Sequence, residues 1–264
     1  MLESLDRFAA AELPGRRIGH RVETHASIGS TSDRARDLLD SAHGAGVAVV
    51  AEEQRAGRGR RGRTWQSPPG VNLTVSVAIR PRLAAADAWQ LGLAAAIAAR
   101  DACADIADVR LKWPNDLVAA DGRKLGGLLV ETAIDGDALA SAVIGIGINV
   151  NWRVPDMPAE LSPTATSLSE LAGVEVDRAA LLSRLLAALD AGVAGVESGS
   201  SPLARYWAAC TTIGQAVTVD VGTGLVVGEA IALDEQGRLV VSTPAGQVTV
   251  TSGEVVRARA ETAT

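Results

Sequence analysis

The sequence predicts an α+β fold followed by a small β-rich unit, and three observations carry that prediction. Strands between 109 and 150 are joined by tight turns, which makes them antiparallel. Helical spacing appears at about 31 to 42, 84 to 104, 177 to 191 and 202 to 210, and these helices do not alternate with strands as a doubly wound sheet requires. From 212 onward only short, closely spaced strands remain, which is the pattern of a small barrel. The chain therefore divides at 1–211 and 212–264.

In chain order, the alternating segment 19 to 28 ends at Gly29, Ser30 and Thr31, where a hydroxyl is placed to cap the next helix. Residues 47 to 51 form a continuous apolar strand that delivers Glu52, Glu53 and Gln54 to an arginine-rich loop. Residues 71 to 79 alternate and read as the strand on its far side. An alanine-rich helix over 84 to 104 precedes a strand over 109 to 113, which Pro114 stops. A hairpin joins 117–120 to 124–132 through Asp121, Gly122 and Arg123, and 138–150 returns after Asp135, Gly136 and Asp137. Residues 192 to 201 read as a loop. Five terminal strands, at 216–221, 225–233, 238–242, 247–251 and 254–258, are separated by glycine-containing turns or short breaks.

At 264 residues and 47% apolar, the chain buries a substantial core. Its formal charge of −6 argues against a general nucleic-acid or anionic-membrane surface. Cys103 and Cys210 lie far apart in apolar surroundings and read as buried free thiols, which suits a reducing cytoplasm. The N-terminus carries acids early and the most apolar helical stretch, 91 to 99, is too short for a bilayer, so a cytoplasmic location without a membrane partner is expected.

Five arginines fall within nine residues at Arg55, Arg58, Arg60, Arg61 and Arg63, interleaved with Gly57, Gly59 and Gly62 and closed by Trp65. Glycine lets backbone approach a ligand, and guanidinium forks match phosphate or carboxylate oxygens in pairs. The glycines match GxGxxG, but no helix follows and no acid stands about twenty residues on, so a dinucleotide site is not indicated. No GxxxxGK phosphate loop is present. An arginine-glycine RNA-binding module is the rival from another class, and the acidic chain weighs against it.

QRAGRGRRGRTW at 54 to 65, KWPNDL at 112 to 117, KLGGLLVE at 124 to 131 and GIGINVN at 145 to 151 occur in this order, and together they resemble biotin protein ligases. Ser30, Thr31 and Ser32 match the place of that family's STN triplet, with Ser32 departing from asparagine. The resemblance implies the class II synthetase fold: a mixed, largely antiparallel sheet with flanking helices, and an SH3-like barrel at the C-terminus. It implies ATP and biotin as substrates, a biotinyl-5'-AMP intermediate, and transfer to a lysine of a carboxylase's biotin carboxyl carrier domain. Since the ligase core begins near residue 20, the ligase-only type without DNA binding is expected. Monomer and homodimer both stay open. A lipoate–protein ligase of the same fold is the nearest rival, but its arginine pair, three glycines and His-Asp are not found here.

The chemistry sets the roles. Biotin's carboxylate must approach the α-phosphate of ATP, so fixed cations are needed to cancel their repulsion. Lys124, Arg58 and Arg60 are the catalytic candidates, and the resemblance puts Lys124 near both groups. The neutral, flat ureido ring needs short polar side chains in an apolar wall, which Ser30, Thr31 and Gln54 supply; Ser32 joins the biotin set by its place in the triplet that the resemblance implies. Arg58, Gly59, Arg60 and Lys124 join them, and Gly126 and Gly127 form the wall against which biotin lies. For the adenylate, Trp65, Lys112, Asn115 and Asn149 are the matched residues, with a buried structural tryptophan and a strand-end lysine as the alternatives at Trp65 and Lys112. Asp116 is a candidate for orienting the acceptor lysine, with turn capping as its alternative. His20, His25 and His43 lack ligand spacing, so no metal residue is named and Mg2+ is expected to arrive on the triphosphate.

Overall fold

The computed structural model describes residues 2–259; the last residues of the expected C-terminal unit, 260–264, lie outside the described residues. In chain order the elements are α1 (Leu2–Ala9), β1 (Val22–Ile28), α2 (Thr31–Leu38), β2 (Ala48–Gln54), β3 (Asn72–Ile79), α3 (Trp89–Cys103), β4 (Val109–Lys112), β5 (Asp116–Ala119), β6 (Lys124–Asp135) and β7 (Ala138–Asn149). Then come α4 (Leu168–Ala172), α5 (Arg178–Glu197), α6 (Leu203–Ala209), β8 (Ala216–Asp220), β9 (Leu225–Leu233), β10 (Leu239–Thr243), β11 (Gly246–Val250) and β12 (Glu254–Arg259).

β1 to β7 form one seven-stranded sheet in the order β1-β2-β3-β7-β6-β5-β4. β1 and β2 are parallel, joined across α2, and every other neighbour is antiparallel. The expected α+β class with a mixed, largely antiparallel sheet is thus present. β8 to β12 form a second, five-stranded antiparallel sheet in the order β11-β10-β9-β8-β12, the small β unit expected from 212 onward.

Strand alternation gives the large sheet two different faces. On one face Leu73, Val75, Val77, Ile144, Ile146 and Ile148 pack with α3 and α5 in the main core. Burying each such side chain contributes roughly 1.5–3 kcal/mol. On the opposite face α2 covers only one end, where Ala35, Leu38 and Leu39 meet Val47, Val49, Ala78 and Val143. The rest of that face is left for a ligand cavity.

Three local expectations change. The N-terminal residues form α1, whose Phe8 is buried and lies 5.1 Å below the Arg178 guanidinium. α5 runs through Glu197, where a loop from 192 was expected, because Val193 and Val196 continue its buried leucine stripe and Gly192 packs beside Ala94 of α3. α5 is long and apolar enough to cross a membrane by length and composition; here its buried stripe is part of the core. Third, α4 is a short helix absent from the sequence expectation, capped by Ser167. Both cysteines are buried free thiols as expected, and burial pushes Cys103 up to about 12.

Glu52, at the end of β2, anchors the root of the arginine loop. Its fully buried carboxylate accepts from Arg178 Nη1 at 2.7 Å and Nη2 at 3.0 Å, and from Ser4 Oγ at 2.6 Å. It also accepts from the Gly70 amide at 2.9 Å. The two ends of the loop are therefore tied together on one carboxylate.

Candidate active site

One row of residues crosses the sheet beneath the cavity. Lys112 of β4 stands opposite Asp116 of β5, Asp116 opposite Gly127 of β6, Gly127 opposite Gly147 of β7, and Gly147 opposite Thr74 of β3. A second row, two residues along, runs Leu129, Gly145 and Ser76. Charged side chains thus flank a floor of glycines, and the missing side chains make a cavity of about 360 Å³. The arginine loop forms its other wall.

The cavity gathers Ser30, Thr31, Ser32, Gln54, Arg58, Gly59, Arg60, Trp65, Lys112, Asn115, Asp116, Lys124, Gly127 and Asn149. Gly126 is the exception. Consecutive strand residues face opposite sides, so Gly126 lies in the core row between Leu117 and Ile148. A Cβ there would come within 2.6 Å of the Gly147 carbonyl oxygen. Of the pair expected to form the wall, only Gly127 lines it.

Ser30 caps α2, its hydroxyl accepting from the Asp33 amide at 3.4 Å. Gln54 Oε1 accepts from Thr31 N at 2.8 Å and from Thr31 Oγ1 at 2.9 Å. Ser76 Oγ lies 2.8 Å from Thr31 Oγ1 and 3.0 Å from Ser32 Oγ. A connected set of hydroxyls therefore runs along one end of the cavity, and Ser32 belongs to it.

Lys124 is pinned at its backbone, where its amide donates to Thr164 O at 2.7 Å and its carbonyl accepts from Thr166 N at 2.9 Å. Its Nζ donates to Asp116 Oδ1 at 2.6 Å and sits 6.0 Å from the centroid of the Trp65 ring. Burial lowers the affinity of Lys112 for its proton, with the Lys124 and Arg63 charges acting the same way and Asp116 opposing. Asn115 Nδ2 donates to Leu128 O at 2.6 Å, and Asn149 Nδ2 donates to Thr166 O at 3.0 Å, so the backbone orients both amides.

The arginines are held one by one. Arg58 makes a two-pronged pair with Asp33 at 2.7 Å on each nitrogen and reaches Glu131 at 3.3 Å, which together raise its pKa. Arg60 Nη1 donates to Gly253 O at 3.2 Å, and its burial lowers its pKa. Arg61 donates to Asp220 O at 3.1 Å, and Arg63 pairs with Glu254. The loop thus bridges to the second sheet.

Sequence reasoning missed Ser76, Gly145 and Gly147. The last two were within reach, because counting back by twos from Asn149 puts both on its face. Gly147 carries the Trp65 ring: a Cβ there would lie 2.4 Å from Trp65 Cε2. Trp65 Nε1 is buried against the same glycine, among the described residues without a hydrogen-bond partner. No group of three or more His, Cys, Asp or Glu among the described residues is arranged to hold a metal.

A mixed sheet carrying a cation-rimmed cavity, joined to a small antiparallel sheet, defines an α+β ligand-binding core with a C-terminal appendage. The model of the Biotin/lipoate A/B protein ligase family matches residues 25–149, and that of the Biotin protein ligase C terminal domain matches 212–257. The biotin--[acetyl-CoA-carboxylase] ligase of Mycobacterium tuberculosis is 38% identical over 266 residues, covering 96% of each chain. The bifunctional ligase/repressor BirA of Bacillus subtilis is 33% identical over 242 residues, covering 90% of this chain and 74% of that protein. A biotin protein ligase from Aquifex aeolicus, solved in complex with biotin and ATP, superposes with a TM-score of 0.71 at 29% identity, over 88% of this chain and 96% of its own. The chain belongs to the biotin protein ligase family.

Proposed function

We propose that the cavity joins biotin to AMP and passes the biotinyl group to a lysine of a biotin carboxyl carrier domain. The activity is ATP-dependent biotin ligation, and biotin and ATP are its substrates. The observation that carries the reading is convergence: motifs scattered over residues 54 to 151 line one cavity.

In the first half-reaction biotin's carboxylate attacks the α-phosphate and pyrophosphate leaves. Lys124, Arg58 and Arg60 are assigned the role of offsetting the charge that builds on the phosphoryl oxygens. Arg58 takes that role by exchanging Asp33 and Glu131 for the ligand. Ser30, Thr31, Ser32 and Gln54 are assigned to the ureido ring, with Ser76 completing the hydroxyl set, and Gly127 to the wall. Trp65, Lys112, Asn115 and Asn149 are assigned to the adenylate. Asp116 holds Lys124 and is the candidate for orienting the acceptor amine. No step is routed through a metal, and Mg2+ is taken to arrive on the triphosphate. We divide the chain into a catalytic unit, 1–211, and a C-terminal unit from 212. A cytoplasmic location fits the free thiols and the use of ATP.

Biotin-dependent exchange of labelled pyrophosphate into ATP tests the first half-reaction without an acceptor. Exchange with biotin and none without it is the expected result; exchange that responds to lipoate would move the assignment to the sister ligases.

A further inference from the structure

Of the 25 basic residues in this sequence only Lys112 and Lys124 are lysines, and all the others are arginines. Both lysines line the active-site cavity. Apart from the three histidines and the α-amino terminus, the basic charge outside the cavity is therefore guanidinium. That distribution has a chemical meaning if the protein makes biotinyl-AMP, and its reading as a shield rests on that proposed function. A biotinyl-adenylate is a mixed anhydride, and it acylates any free amine within reach. Arginine carries the same charge yet keeps its proton and offers no nucleophilic lone pair.

We propose that the protein is shielded from its own acyl-adenylate: guanidiniums replace amines outside the cavity, and inside it Asp116 is a positioning residue that holds the Lys124 ammonium off the anhydride. The Lys124 Nζ to Asp116 Oδ1 contact of 2.6 Å joins side chains that are 40% and 22% exposed, at the point where the adenylate is made. An ammonium donating to a carboxylate has no lone pair to offer. A Cβ at Gly127 would sit 3.5 Å from both Asp116 Oδ1 and Lys124 Nζ, so the glycine leaves the ion pair room above the floor. Lys112 stands directly across the β4–β5 ladder from the same aspartate. Arg60 and Arg63 complete the charges around the pair.

The reaction being prevented is simple to balance. A lysine nitrogen that has lost its proton attacks the biotinyl carbonyl carbon and a C–N bond forms. The bond from that carbon to the AMP oxygen breaks, AMP leaves with the electron pair, and the nitrogen releases its second proton to water. The product is an enzyme biotinylated on its own side chain, with the cation it needs for adenylation destroyed.

The test supplies chemically prepared biotinyl-AMP to the purified full-length chain without acceptor, and maps biotin by peptide mass spectrometry. The wild type is expected to remain unmodified at Lys112 and Lys124. Asp116→Asn should acquire biotin on Lys124 about tenfold or more faster, because a held amine reacts as an intramolecular nucleophile. Asp116→Glu should restore protection, and Lys124→Arg in the Asp116→Asn background should remove the signal. Gln66 is exposed at the cavity wall, and it separates charge from nucleophilicity without touching the assigned machinery. Gln66→Lys should be biotinylated at residue 66, and Gln66→Arg should not. Equal modification of Lys124 in wild type and Asp116→Asn would overturn the shield at Asp116. An unmodified Gln66→Lys would overturn the shield, including when Asp116→Asn fails to fold, because an unpaired amine even at the cavity wall would then escape the adenylate. Direct supply of the adenylate keeps these outcomes apart from the assigned activity, whose own failure would appear as absent biotin-dependent pyrophosphate exchange in the wild type.

Discussion

The wall of the cavity that carries Lys112, Asp116 and Lys124 is held by backbone ladders running from β4 to β7, whereas the wall that carries Arg58, Arg61 and Arg63 is held by side-chain pairs at solvent. Exposed pairs of this kind are worth about 0–1 kcal/mol each. The ladders fix where the charges of one wall stand before any ligand arrives. The loop arginines are instead parked on Asp33, Glu131, Asp220 and Glu254, and can trade those carboxylates for a ligand's anion at small cost. One wall is prearranged and the other is exchangeable, although both are rich in positive charge.

The largest expected effect falls at the buried root of the arginine loop. Glu52→Gln leaves Arg178, only 11% exposed, without its carboxylate, and should cost about 3–5 kcal/mol in stability by urea unfolding. Burial pushes the Glu52 carboxyl up, but the Arg178 and Ser4 hydrogen bonds, the Arg178 charge and the Gly70 amide together hold it below its usual value. Its contribution is therefore complete above the ordinary glutamate range and is lost as pH falls through the lowered, folded-state value. The Glu52→Gln protein should show less loss of stability than wild type over that acid window.

On the fixed wall, Lys124→Ala removes a positioned cation and should slow adenylation by about 3 kcal/mol or more in activation free energy, read by pyrophosphate exchange, with the thermal melt nearly unchanged. Wild-type exchange in the folded variant would remove Lys124 from the mechanism. Gly147→Ala tests the contact between the walls. Its new methyl meets the Trp65 ring, so a cost of about 1–3 kcal/mol is expected, shared between stability and ATP affinity by calorimetry. The smallest effect belongs to the exchangeable wall: Asp33→Asn should change stability by less than about 1 kcal/mol, yet speed tryptic cleavage at Arg58 in the empty enzyme. Biotin with ATP should protect the loop from trypsin in wild type and variant alike. Equal cleavage with and without ligands would mean that the arginines are static.

The fixed wall was largely legible in the sequence, because its motifs are local and its strands are joined by short turns. Even there, adjacent Gly126 and Gly127 received one role, and only strand alternation divides them between core and cavity. The partners of the arginine loop were not legible. Arg61 meets Asp220, and Arg60 meets the Gly253 carbonyl, across more than 150 residues, and no spacing rule links them. The end of α5 was misjudged for the opposite reason, since its glycines signal a break locally while packing against α3 overrides them. The Asp116–Lys124 pair lay eight residues apart in plain view, but its meaning depends on the β5–β6 register.

The Glu52 carboxylate that ties β2 to Gly70 makes the stretch between them a module with a closed neck. Chain closure is settled at that neck, so lengthening the segment between costs little: doubling a flexible loop adds about 0.6 kcal/mol. Insertions or deletions at residues 58 to 63 should therefore change how far the loop arginines reach over the cavity at little cost to the assembly of the sheet.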